Sequence, residues 1–221
     1  MLSVVKVGGG LGRVGGDDAL RALCRALGEA ARTEALLVVP GGGAFADVAR
    51  DYDRRFALGD ATAHRLAILA MDQFGGVLAA LIPGAEATTR LEDARRGRPA
   101  VLLPAELLLR EDPLPASWEV TSDSIAAWVA GAAGAGRVVL VKSVDGLHAE
   151  WPPDGPPLTR LGVDELAALR AAGHAAGVDA HFPATLRASG VDAWVVDGRE
   201  PDRVLALLRE GRATGTLIER A

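Results

Sequence analysis

With 221 residues, 49% of them hydrophobic, the chain has enough apolar material for one large core, and no stretch in its middle reads as a linker, so a single domain over residues 1–221 is expected. Aromatic residues make up only 4%, which leaves Ala, Leu and Val to fill the interior as they do in layered α/β proteins. A formal net charge of -5 argues against nucleic acid or an anionic membrane as partner, while leaving room for a local cationic pocket.

The chain contains a single cysteine, Cys24, which cannot close an intrachain disulfide and falls on the apolar face of a predicted helix, as a packed thiol does. No signal-peptide pattern, lipidation motif or membrane-spanning apolar run is visible, so a cytoplasmic location is expected.

Leu2-Ser3-Val4-Val5-Lys6-Val7 reads as a strand buried on both faces of a parallel sheet, interrupted by one cation. Gly8-Gly9-Gly10-Leu11-Gly12 follows directly. Such a loop leaves backbone amides uncovered to cradle a phosphate, with the Lys6 ammonium in reach of the same anion, although any tight strand-to-helix turn has this composition. Of the 24 basic residues only Lys6 and Lys142 are lysine. Where arginine serves everywhere else, a retained lysine suggests a need for a compact, mobile point charge.

Asp17 opens a helix with Leu20, Leu23, Cys24 and Leu27 at helical spacing. Ala35 to Val39 is a second buried strand ending in Pro40-Gly41-Gly42-Gly43, and a helix carrying Phe45, Val48 and Ala49 follows. Two glycine loops at the carboxyl edge of one parallel sheet would face a common crevice, the place where open α/β sheets bind ligands.

Residues 60–82 form the longest predicted helix, with Leu66, Leu69, Phe74, Val77, Leu78 and Leu81 as its stripe. Its polar residues His64 and Asp72 fit a solvated face, and Arg65 fits either that or a cation for a second phosphate. After the charged loop Glu92 to Arg98, Ala100 to Pro104 is a short buried strand, and residues 105–119 read as a loop able to lie over a pocket.

Thr121-Ser122-Asp123-Ser124 opens the next helix, where Asp123 serves either as part of a cap or as the partner of lysine ammoniums. The strand Arg137 to Val141 then delivers Lys142 into Ser143-Val144-Asp145-Gly146-Leu147, a turn signal. Residues 151–162 suggest a surface hairpin or flap. Helices near 163–172, up to Ser189 and around Val204 to Leu208 alternate with strands at Val191 to Val196 and Thr216 to Ile218. The sequence has no internal repeat, zinc-type Cys/His spacing or serine elbow.

Four motifs in fixed order, Val5-Lys6-Val7-Gly8-Gly9-Gly10, Val39-Pro40-Gly41-Gly42-Gly43, Ser122-Asp123-Ser124-Ile125-Ala126-Ala127 and Val144-Asp145-Gly146-Leu147, together resemble the amino acid kinase family over essentially the whole chain. Outside those motifs, Pro40 to Ala46, His64 to Ile68, Ser117 to Ser124 and Val195 to Val204 are similar to the branch that phosphorylates a furan phosphate in methanofuran and methylofuran synthesis.

The resemblance implies an α/β fold, a three-layer αβα sandwich with a mostly parallel central sheet. It implies transfer of the ATP γ-phosphoryl group, with Mg²⁺, onto a small phosphate monoester to give a diphosphate. An ionised phosphate is already a nucleophile, so such catalysis reduces to alignment and charge neutralisation. It also implies a homo-oligomer, dimer or higher, with no nucleic-acid or membrane partner.

By the same resemblance, Lys6 acts on the transferring group and Asp123 orients it. Gly8, Gly9, Gly10, Lys142, Ser143, Asp145, Gly146 and Leu147 serve ATP. Gly41, Gly42, Gly43, Arg65, Asp72, Ser122 and Asp179 serve the acceptor, whose aminomethyl group would need a carboxylate from Asp72, Asp179 or Asp60. No protein side chain is assigned to the metal. Uridylate kinases of the family place a lysine where Ser143 stands; here Lys142 lies one residue earlier. A uridylate-type kinase and a non-catalytic nucleotide- or oxyanion-binding relative are the alternatives.

Overall fold

A computed structural model describes residues 1–94, 97–150, 155–174 and 177–220. Residues 95–96 of the charged loop and 151–154 of the expected flap lie outside the described residues. The strands are β1 (Leu2–Val7), β2 (Ala35–Pro40), β3 (Glu86–Thr88), β4 (Ala100–Leu102), β5 (Arg137–Lys142), β6 (Arg160–Gly162), β7 (Asp192–Asp197) and β8 (Thr216–Glu219). The helices are α1 (Gly10–Val14), α2 (Gly16–Ala30), α3 (Gly43–Phe56), α4 (Asp60–Leu81), α5 (Ala105–Glu111), α6 (Ser122–Ala132), α7 (Val163–Ala171), α8 (Phe182–Ser189) and α9 (Pro201–Glu210).

The strands join in one eight-stranded sheet of order β3-β4-β2-β1-β5-β7-β8-β6. Every pairing is parallel except β7 with β8, so the sheet is mostly parallel, as expected for the amino acid kinase fold. Side chains alternate across it with the strand period of two. Val4, Leu37, Val39, Val138 and Leu140 point into one core, packed under α6 and α8. Val5, Val7, Leu36, Val38, Val139 and Val141 point into the other, packed under α2 and α9. Both faces are dry, which is why these strands read as continuous apolar runs. Fully burying one such valine is worth roughly 1.5–3 kcal/mol. Cys24 belongs to the second core, and burial pushes its thiol up to about 11, so it packs as a protonated hydrophobe.

Several short elements have no periodic signature in the sequence: α1, the edge strand β3, α5 inside the segment read as a loop, and β6 inside the expected flap. Asp17 is not a cap; α2 starts at Gly16 with Gly15 before it, and Asp17 sits in the first turn. On α3 the apolar residues are not a core face: Ala49 is buried, but Phe45 and Val48 are 38% and 58% exposed. On α4, Leu69 and Val77 likewise face outward while Ile68, Met71, Phe74 and Leu78 pack inward. Among the described residues no helix is long and apolar enough to cross a membrane.

Candidate active site

Strand phase brings the two lysines together. Lys6 shares the face of Val4, and Lys142 shares that of Val138 and Leu140, so both project to the side of the sheet covered by α6. The first turn of α6 carries Asp123 into the gap. Its Oδ1 lies 3.0 Å from Lys6 Nζ, and its Oδ2 accepts from Lys142 Nζ at 2.5 Å. Asp123 is buried and Lys6 is 6% exposed. At 3.0 Å the Lys6 ammonium forms a buried ion pair with Oδ1.

Burial pushes Asp123 upward, but Lys142 and Lys6 outweigh it and hold the carboxyl at about 2. The pairing is unequal. Burial lowers the pKa of Lys142, and repulsion from Lys6 adds to that, against the pull of Asp123 in the other direction. The carboxylate is therefore held firmly ionised, and Lys142 gives up its proton more readily than an ordinary lysine.

Asp123 is not the cap of α6. Thr121 is: its hydroxyl accepts from Asp123 N at 3.4 Å. Asp179 then locks this turn from a distant segment. Its Oδ2 accepts from Thr121 N at 2.9 Å, Thr121 Oγ1 at 2.8 Å and Ser124 N at 3.0 Å, and its Oδ1 accepts from Ser124 Oγ at 2.5 Å. Asp179 thus supports the helix end that presents Asp123 and does not line the cavity described below.

The two glycine loops touch. A Cβ on Gly9 would fall 2.2 Å from Gly43 Cα, and Gly41 N donates to Val7 O at 2.8 Å. Gly43 opens α3 in the left-handed region at φ +55°, where other residues are strained. Gly8 lies over the Lys6 ammonium, with its Cβ position 3.0 Å from Nζ. Amides, lysines and close-packed glycines form a donor set suited to phosphates, and no Cβ could be added at Gly9 without separating the loops.

On the β5 side, Ser143 Oγ faces Gly10, and Asp145 pairs with His148 at 3.0 Å. Gly146 and Leu147 are buried, and Leu147 N donates to Thr216 Oγ1 at 2.8 Å, so they anchor the loop in the core. Asp197, at the end of β7 beside Lys142, accepts from Arg199 N and Nε, both at 2.9 Å, and from Nη2 at 2.6 Å. Burial raises the Asp197 carboxyl, but Arg199 more than offsets this and keeps it below its ordinary value.

On the β2 side, a cavity of about 170 Å³ opens next to Gly9 and Gly41 to Gly43. Its walls come from α3 (Asp47, Arg50), α4 (His64, Ile68, Met71), the segment before α6 (Trp118, Thr121) and the first residue of α6, Ser122. Trp118 Nε1 donates to Asp53 Oδ2 at 2.8 Å, and the Arg50 guanidinium lies 4.4 Å above the Trp118 ring centroid while pairing with Asp47 at 3.2 Å. Burial lowers the His64 pKa, with Asp112 opposing, which favours the neutral ring.

Ser122 and Gly41 to Gly43 line this cavity. Arg65 is exposed and outside the walls, and Asp60 is exposed in the first turn of α4. Asp72 Oδ1 accepts from Ala105 N, in the first turn of α5, at 2.9 Å; burial raises its pKa while that N–H lowers it. Trp118 stands near the end of the 105–119 segment read as able to lie over a pocket, and it lines this cavity with His64, which the sequence left on a solvated face; Asp47 and Arg50 carry no signal of spacing. Among the described residues no group of three or more His, Cys, Asp and Glu side chains is placed to hold a metal.

The pattern describing the amino acid kinase family matches residues 105–197. The chain is 33% identical over 217 residues to the [5-(aminomethyl)furan-3-yl]methyl phosphate kinase of Methanocaldococcus jannaschii, covering 96% of this chain and 94% of that protein. It is 31% identical over 141 residues to the acetylglutamate kinase of Bifidobacterium animalis subsp. lactis, a match spanning 62% of this chain and 45% of that kinase. Its fold is similar to the crystal structure of uridylate kinase from Archaeoglobus fulgidus, with a TM-score of 0.78 at 20% identity over 99% of this chain and all of the other.

Proposed function

We propose, since this chain belongs to the amino acid kinase family and is a phosphotransferase, that it moves the γ-phosphoryl group of ATP onto a small phosphate monoester to form a diphosphate, with [5-(aminomethyl)furan-3-yl]methyl phosphate as acceptor. One observation carries the reading: a buried carboxylate shared by two ammoniums, set beside two glycine loops in contact.

The amides of Gly8 to Gly10 hold the donor phosphates, with Ser143 and Asp145 on the nucleotide side. Gly42 and Gly43, at the amino end of α3, hold the acceptor phosphate, where aligned N–H groups favour an anion. Lys6 neutralises the transferring group from the β1 side and Lys142 from the β5 side. Asp123 fixes both ammoniums, so little rearrangement is needed as charge shifts. An acceptor phosphate oxygen attacks the γ-phosphorus, the bond to the β-phosphate oxygen breaks, and ADP leaves; no general base is required. Mg²⁺ would enter with ATP and would offset the charge of the donor phosphates during transfer.

At about 170 Å³ the cavity suits a small acceptor. Asp47 is the carboxylate on its wall closest to the role of meeting an aminomethyl group. The other partner we propose is a second copy of this chain, meeting it across the outer side of α3 and α4.

ADP release from Mg-ATP is the test, with the furan phosphate, UMP, CMP and acetylglutamate as acceptors. Turnover with the furan phosphate is expected. Turnover with UMP alone would replace this reading with a uridylate-type kinase, and ATP binding with no acceptor used would replace it with a non-catalytic binder.

A further inference from the structure

We infer that the stacked pair of Trp118 and Arg50 is the specificity-determining wall of the cavity, and that it selects phosphate esters whose phosphate is carried on a small, flat, unsaturated ring. The inference rests on reading this cavity as the acceptor site.

The Arg50 guanidinium carbon lies over the Trp118 ring, 4.4 Å from its centroid, so the two side chains form one cation–π unit. The unit is held from two sides. Asp53 takes the indole N–H at 2.8 Å, and Asp47 pairs with the guanidinium at 3.2 Å. Asp47, Arg50 and Asp53 all come from α3, the helix whose amino end carries Gly43. Gly43 lines the same cavity as Arg50 and Trp118, so the ester group of a ligand whose phosphate sits at Gly43 has this pair within the cavity it occupies. Ile68 and Met71 of α4 add apolar lining to the same cavity. A cavity lined by a cation–π pair and by apolar side chains favours an aromatic ring, whose π-face such a pair can meet, over a saturated one of equal size. Tying the indole in one orientation also lowers the cost of ordering it when ligand arrives. Asp53 acts as a positioning residue, because it lies behind Trp118.

Calorimetric binding to the full chain tests this with furan-3-ylmethyl phosphate against tetrahydrofuran-3-ylmethyl phosphate, which share size and charge and differ in the π-system. The wild-type protein should prefer the aromatic ester by roughly 3- to 10-fold. Trp118→Leu should bring the ratio close to one, Trp118→Phe should keep most of it, and Asp53→Asn should raise the KM of the acceptor while leaving that of ATP in place. Equal binding of the two esters to the wild type, or a preference unchanged in Trp118→Leu, would overturn the inference. A protein that prefers the aromatic ester through Trp118 but never phosphorylates the aminomethyl furan ester would keep the inference and discard the proposed acceptor. Phosphorylation of that ester with a KM indifferent to Trp118→Leu would do the reverse.

Discussion

A lysine inside a valine strand is tolerable because a buried anion meets it; without Asp123, two ammoniums would share a dry space. Lys6→Ala should lower turnover by roughly 100- to 1,000-fold, the scale of losing one preorganised donor to developing charge, while thermal unfolding stays near the wild-type temperature. Asp123→Asn has a subtler signature. Asp123 is the principal group raising the pKa of Lys142, so its neutralisation should move the alkaline limb of the kcat profile to lower pH. Stability carries the opposite limb. The native Asp123 carboxyl sits at about 2 against an ordinary 3.8, so its stabilising contribution is fully present above 3.8 and is lost as pH falls through 2. Urea unfolding of wild type and Asp123→Asn should therefore show a stability gap that narrows between about pH 4 and 2.

Helix ends explain why acceptor carboxylates could not be chosen from sequence. Asp179 and Asp72 look alike as isolated acids, yet each accepts from the first turn of a helix that begins far away in the chain, α6 and α5 respectively. Asp179→Ala should destabilise the fold by about 1–3 kcal/mol, since it strands buried donors on Thr121 and Ser124. It should also reduce kcat, because the loosened turn carries Asp123; a drop in unfolding temperature with unchanged kcat would show that the two are uncoupled. Lys6 and Asp123 were legible because the chemistry lies in the strand and the helix start themselves. The pairing of Trp118 with Asp53 was not, because the two lie 65 positions apart and meet only once the segment before α6 folds over α3.

The layers of the molecule were readable for the same reason: valine-rich strands buried on both sides announce a parallel sheet with helices on each face. Short elements such as β3, β6 and α1 owe their form to neighbours, and periodicity over a few residues cannot reveal them. Nor could sequence tell that the apolar residues of α3 face outward. Phe45, Val48, Tyr52 and Phe56 on α3, with Leu69 and Val77 on α4, are all at least 38% exposed, an unusual concentration for a surface that meets only water. Light scattering on Tyr52→Glu/Phe56→Glu should report a smaller assembly than the wild type.

The contact between Gly9 and Gly43 sets a length as well as a shape. Each glycine belongs to the loop proposed to grip one of the two phosphates, so the thickness of two bare backbones fixes how far the phosphoryl group must travel. Gly9→Ala would act as a shim: each ligand could still be held by its own loop, but the gap between them would widen by about the width of a methyl group, and the transfer would fail at the crossing.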